Sequence, residues 1–280
     1  LSGNPQLETH LASDGYRFYL RRFPAVGRPR GRIVFLHGIR SHGGWYTRSC
    51  SALAAAGYEV IFPDRRGAGL NTAHRGDTPS FRRLLDDVAE RIRHERLTRP
   101  WLPTFLAGIS WGGRLASGFC YRAPGLIDGL ILLCPGLCPL VTPSFGRWLA
   151  VLRARARFPD RMYPIPLNEP ELFTASPDWR QFIETDRHGL TEATARFLVS
   201  NVQLGVYLRR AVKRVTVPTL LMLVGYDRII DNAKTKEFFV EFGTRERTVR
   251  EYPDAHHTLE FEPEEHRWLA DMTTWIEARR

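Results

Sequence analysis

A serine hydroxyl attacks at neutral pH only when a base takes its proton and an acid holds that base in the right tautomer. One serine of this chain sits in a setting built for such work: Gly108-Ile109-Ser110-Trp111-Gly112 spells GxSxG. A serine on a sharp strand-to-helix turn is forced into strained backbone geometry. Glycines two before and two after it let neighbouring chain pass without Cβ clashes. The apolar run Thr104 to Ala107 precedes the motif and a helix-forming stretch follows, which is the context that separates this elbow from a plain Gly-rich turn.

Where a nucleophile stands on such an elbow, its partners follow in the order acid, then histidine. Asp227 comes just after the apolar run Leu220 to Val224, at the carboxyl end of a strand where open α/β sheets place their sites. Asp231 is the rival, but it reads better as the N-cap of the next helix. The base comes from His256 or His257, adjacent in Tyr252-Pro253-Asp254-Ala255-His256-His257. An adjacent pair cannot point the same way, and the spacing leaves the choice open. An oxyanion hole needs two backbone N–H groups, one from the residue after the nucleophile and one from the loop after the third strand. Trp111 supplies the first. His37-Gly38-Ile39 ends that strand, so Ile39 supplies the second and the His37 side chain is structural.

These residues need a scaffold, and the rest of the sequence spells one. Leu7 to Ala12 and Tyr16 to Phe23 flank the turn Ser13-Asp14-Gly15, giving an antiparallel hairpin. Short apolar runs at 32–37, 59–63, 104–109, 129–133, 218–224 and 247–252 then alternate with helical stretches, implying right-handed crossovers and a mostly parallel sheet of eight strands flanked by helices. The apolar positions Leu84, Leu85, Val88, Ile92 and Leu97 mark one helix face. A final amphipathic helix starts at about Pro263. Residues 137–212 differ in texture. Rich in proline, with helical pieces and no convincing strand, they read as a helical cap inserted between the sixth and seventh strands of a core made of residues 1–136 and 213–280.

The net charge of +10 is almost all arginine, with lysine only at 213, 234 and 236. The arginines are dispersed, so the footprint of a nucleic-acid binder is missing. No apolar run is long enough to span a membrane and no secretion signal stands at the start, so the reading is a soluble, cytoplasmic protein. Four cysteines do not make a disulfide scaffold. Cys134 and Cys138 are close enough to flag, although a CxxxC pair alone makes neither a zinc site nor a favoured disulfide.

Taken together and in order, His37-Gly38 with His42 and Tyr46 behind it, Asp64-Arg65-Arg66-Gly67-Ala68-Gly69, GISWGG, VGYDRIID and YPDAHHTLEFE resemble the monoacylglycerol lipase and lysophospholipase branch of the α/β-hydrolases. The resemblance covers the core on both sides of the insertion. In that family's histidine motif the catalytic residue stands two positions before a leucine, which selects His257. The family's oxyanion residue follows the His-Gly pair, matching Ile39. Its cap lies where residues 137–212 stand here. The chain departs from the family at Arg40 and Ser41, where a glycine and an acid are usual, and at Asn71, where a serine is.

The resemblance implies hydrolysis of acyl esters, of the lysophospholipid or monoacylglycerol kind, by Ser110, His257 and Asp227 without metal or organic cofactor. The small-molecule ester is the expected partner. The same triad serves peptidases and amidases, and the fold also serves ligand-binding proteins without catalysis. Haloalkane chemistry is disfavoured, since it places a carboxylate where Ser110 stands. The stretch Phe145 to Arg155 is basic and amphipathic. It reads first as a cap helix over the pocket and second as a transient contact with an anionic membrane.

Overall fold

The computed structural model describes residues 5–263 and 267–279. Its strands are β1 (Gln6–Leu11), β2 (Arg17–Phe23), β3 (Gly31–Leu36), β4 (Tyr58–Pro63), β5 (Thr104–Ile109), β6 (Gly129–Leu133), β7 (Met162–Pro164), β8 (Glu192–Thr194), β9 (Thr219–Tyr226) and β10 (Arg247–His256). Eight of these form one sheet in the order β1-β2-β4-β3-β5-β6-β9-β10. The β1-β2 and β2-β4 pairs are antiparallel and the rest are parallel. The central strands are buried on both faces, as parallel strands covered by helices must be.

The helices are α1 (Thr47–Ala55), α2 (Phe81–Thr98), α3 (Trp111–Arg122), α4 (Phe145–Arg157), α5 (Pro177–Thr185), α6 (Ala195–Ala211), α7 (Asn232–Val240) and α8 (Trp268–Glu277). Phe105 of β5 meets the ring of Trp275 on α8, while Gly108 of the same strand lies against α3. Side chains alternate along a strand, so α8 and α3 cover opposite faces. The expected last helix was placed from about Pro263; positions 264–266 lie outside the described residues, and α8 is seen from Trp268. None of the helices described is long and apolar enough to cross a membrane.

Strand order reverses between β3 and β5, because β4 lies on one side of β3 and β5 on the other. A crevice opens at the carboxyl ends of the strands at such a switch point. Leu36 pairs with Gly108 there, so the loops that leave β3 and β5 start side by side.

Residues 134–218 join β6 to β9 and carry α4, α5, α6 and the short antiparallel pair β7-β8. This pair corrects the expectation of an insertion without strands. At three residues each, they are too short for an alternation to be legible. The segment is tied to the sheet side through polar contacts. Trp45 Nε1 donates to Asp186 at 2.7 Å, Arg40 donates to the Leu167 carbonyl at 2.7 Å, and Thr194 Oγ1 donates to Asp77 at 2.6 Å. Burial raises the Asp186 carboxyl, but its bonds from His42 and Trp45 outweigh that and hold it below the usual carboxylate range.

Only Val151 and Ala154 of α4 are buried, whereas Phe145, Leu149 and Leu152 are exposed beside its arginines. The helix therefore packs Trp148, Val151 and Ala154 inward against the core and leaves Phe145, Leu149 and Leu152 facing outward.

Candidate active site

Ser110 has φ 52° and ψ −120°, in the left-handed half of the map that costs an L-residue energy. The glycines explain how the turn survives. A Cβ on Gly108 would lie 2.6 Å from the Gly112 carbonyl oxygen, and one on Gly112 would lie 2.1 Å from the Leu36 carbonyl oxygen. Either would pry the elbow from its strand. The backbone is fixed further by Ser110 N donating to the Leu133 carbonyl at 2.9 Å and by Gly136 N donating to the Ser110 carbonyl at 2.6 Å.

His257 follows β10 and is nearly fully buried. Its Nδ1 faces both carboxylate oxygens of Asp227, at 3.0 and 2.9 Å. Asp227 follows β9 directly, and its Oδ1 also accepts the N–H groups of Ile229 and Ile230, each at 2.9 Å. Three donors thus converge on one buried carboxylate, which fixes Nδ1 as the protonated nitrogen. His257 Nε2 is left buried and without a hydrogen-bond partner among the described residues. His257 lines a small space together with Ser110, Gly38 and Ile39.

The rival residues are elsewhere. Asp231 caps α7, accepting the Lys234 N–H at 3.0 Å. His256 Nδ1 lies 3.1 Å from Glu262 and its ring stacks on Tyr226. Burial pushes the His37 imidazole down to about 3, so this ring is neutral. Its Nε2 accepts the Arg65 N–H at 2.9 Å, and it plays the structural part its position suggested.

Gly38 passes close to the nucleophile: a Cβ there would sit 3.4 Å from Ser110 Cβ and 3.8 Å from Ser110 Oγ. Ile39, next in the chain, lines the same small space as Ser110. The Arg65 guanidinium donates to the Ile39 carbonyl and lies against the rings of both Trp111 and Phe197, 5.1 and 5.0 Å from their centroids. Burial pulls its pKa down to about 9, which still leaves it charged at neutral pH. The sequence reading missed this residue, because nothing in an RRG run says that its first arginine points under the crevice. Arg40 was noted only as a departure; it stitches the β3 loop to Leu167 and Ile183. Asn71 accepts the Tyr19 N–H and donates to the Asp64 and Arg65 carbonyls, a purely structural role.

Beside Ser110 a cavity of about 370 Å³ opens between α3, α6 and the loops after β6 and β9, within the range of small-molecule sites. Its walls are mainly apolar, with Thr142, Asn201, Arg114 and Arg209 as polar residues besides Ser110; no carboxylate lines it among the described residues. All four cysteines are free. Cys134 lies with Asp227 and His257 within 4.8 Å ligand-atom spacing, and burial holds its thiol well above the usual range, so it is a neutral neighbour of the acid.

Glu260, three residues beyond His257, is buried with Oε1 accepting the Ser49 N–H at 3.2 Å and Oε2 without a partner. Burial pushes its carboxyl up to about 7. The folded state then holds a proton that the unfolded chain releases, so stability falls as pH rises from the ordinary glutamate value to about 7 and levels off above. Glu260→Gln removes that slope. Urea denaturation should show the variant gaining about 3 kcal/mol on the wild type between pH 4.5 and pH 8. Parallel pH profiles for the two proteins would contradict it.

A family model described as "Serine aminopeptidase, S33" matches residues 27–264. The chain is 26% identical over 255 residues to a monoacylglycerol lipase of Mycolicibacterium smegmatis, covering 89% of this chain and 88% of that protein. It is 26% identical over 279 residues to the human monoglyceride lipase, covering 95% and 86%. A soluble variant of the Saccharomyces cerevisiae monoglyceride lipase, solved with a substrate analog, superposes with a TM-score of 0.85 at 20% identity, covering 99% and 96%. The chain belongs to the family described as serine aminopeptidase S33 and is a serine hydrolase of the α/β-hydrolase fold, on the monoacylglycerol lipase branch.

Proposed function

We propose that this enzyme cleaves lipid-like carboxylic esters through an acyl-enzyme on Ser110. The observation that carries the reading is the His257 ring. Asp227 holds its Nδ1 side, its Nε2 is buried and unbonded among the described residues, and His257 and Ser110 line one small space. Ser110 Oγ attacks the carbonyl carbon while His257 Nε2 takes the hydroxyl proton. The N–H groups of Ile39 and Trp111 stabilise the oxyanion. The C–O bond breaks and the alcohol leaves with the proton held on His257. Water then adds to the acyl carbon, giving its proton to His257, and the acid departs as Ser110 regains its hydrogen. No step calls on a metal or organic cofactor. Residues 137–212 act as a cap over the core formed by 1–136 and 213–280. The outward Phe145, Leu149 and Leu152, set among arginines, suit transient contact with an anionic lipid surface.

The family description names a peptidase. An aminopeptidase must meet the free ammonium of its substrate with negative charge. Among the described residues the cavity offers two arginines and no carboxylate, which disfavours that substrate. A panel of p-nitrophenyl esters of increasing chain length, run beside aminoacyl p-nitroanilides, tests the choice. Esters with medium acyl chains should turn over at least 100-fold faster than any anilide, given what a desolvated, unpaired ammonium costs. Faster turnover of the anilides would overturn the ester reading.

A further inference from the structure

The two arginines of the cavity have no role in the steps above. Arg114 stands four residues after the nucleophile on α3. Its Nε donates to the Gly136 carbonyl at 2.9 Å and its Nη1 to Asn201 Oδ1 at 3.0 Å. Both bonds are to neutral acceptors, and the same Asn201 oxygen also takes the Trp111 indole N–H at 2.8 Å. Nη2 has no hydrogen bond among the described residues. The ionisable groups near enough to act on Arg114 are the Cys138 thiol and Arg209, a second cation. Asp231, the carboxylate near Cys138, is already paired with Lys234 at 3.0 Å.

Arg209 comes from α6. That helix lays Leu198, Val202, Val206 and Arg209 along the cavity, spaced four, four and three residues apart and so on one face. Val202 and Val206 are about half exposed, and Arg209 makes no ion pair among the described residues. Gly205 sits between the two valines. A Cβ there would rest 3.7 to 3.9 Å from the Arg114 guanidinium, and with glycine that flank of the cation stays open to the cavity.

A largely buried guanidinium with a second cation as its charged neighbour at an apolar cavity pays for its desolvation without a compensating charge. We infer that the cavity takes an ester bearing an anionic oxygen group, a carboxylate or a phosphate, which Arg114 and Arg209 bind while the aliphatic walls hold the chain between it and the carbonyl at Ser110. This rests on the esterase reading and sharpens it, since it selects charged esters over neutral glycerides. The group sits on Arg114 by hydrogen bonds from a largely buried guanidinium and is drawn in by the exposed Arg209, whose share is screened by salt.

The test uses two matched pairs: mono-(4-nitrophenyl) adipate against 4-nitrophenyl hexanoate, and 1-lauroylglycerol 3-phosphate against 1-lauroylglycerol. The wild type should favour the charged member of at least one pair by about tenfold in kcat/KM at low ionic strength, with the preference shrinking as salt is added. Preference in the first pair identifies a carboxylate on the acyl side; preference in the second identifies a phosphate on the alcohol side. Arg209→Glu should reduce that ratio at least tenfold, mainly through KM. Arg210→Gln, which removes a charge from the neighbouring position outside the cavity, should leave it unchanged. Equal kcat/KM within both pairs, with the neutral esters still cleaved, would overturn this inference and spare the esterase reading. So would an equal loss of the ratio in Arg210→Gln. Failure to cleave any of the four would overturn the esterase reading and this inference with it.

Discussion

Ser110→Ala lowers kcat for a p-nitrophenyl ester by roughly 10⁶-fold, the loss expected when the nucleophile of a triad that acts as a unit is removed. What little rate remains comes from the oxyanion donors and the cavity, which the substitution leaves in place. The fold should not suffer. Ser110 Oγ makes no hydrogen bond among the described residues, alanine keeps the Cβ, and the strained φ of 52° is imposed by the flanking glycine contacts. An unchanged melting temperature beside a lost activity is therefore the signature to look for, and a joint loss of both would mean that the hydroxyl is structural.

The second large effect separates two aspartates four residues apart. Asp227→Asn should cost roughly 10⁴-fold in kcat. The amide keeps an oxygen for the N–H groups of Ile229 and Ile230, so the loop holds its shape. Its NH₂, however, now faces His257 Nδ1 and forces the proton onto Nε2, the nitrogen that must accept from Ser110. Asp231→Asn should change kcat less than twofold, because this side chain serves the N-terminus of α7 and asparagine caps about as well. Steady-state kinetics of both variants on one ester decides the matter; equal losses would contradict the assignment.

How much of the fold and the site is legible in the sequence depends on how local the cause is. The elbow is spelled within five residues, and the cost of a Cβ at Gly108 or Gly112 is a contact with chain that any strand-turn-helix must pass. Asp227 was readable because it directly follows β9, and Asp231 because capping is itself a local event. The choice between His256 and His257 was not available from spacing. It came from a resemblance, and its physical reason is tertiary: Glu262 and Tyr226 hold one ring while Asp227 holds the other. Arg65, Arg114 and Glu260 were invisible as participants for the same reason, since their partners lie on other elements. Which apolar residues of α4 would face outward was not legible either, because an amphipathic period says that a helix has two faces but not what each will meet.

The central claim, that Ser110 is an activated nucleophile, is tested most directly by intact-mass measurement after treatment with a fluorophosphonate. The wild type should gain one phosphonyl adduct, mapped by peptide sequencing to Ser110, and Ser110→Ala should gain none. An adduct of equal extent on the alanine variant would contradict the account.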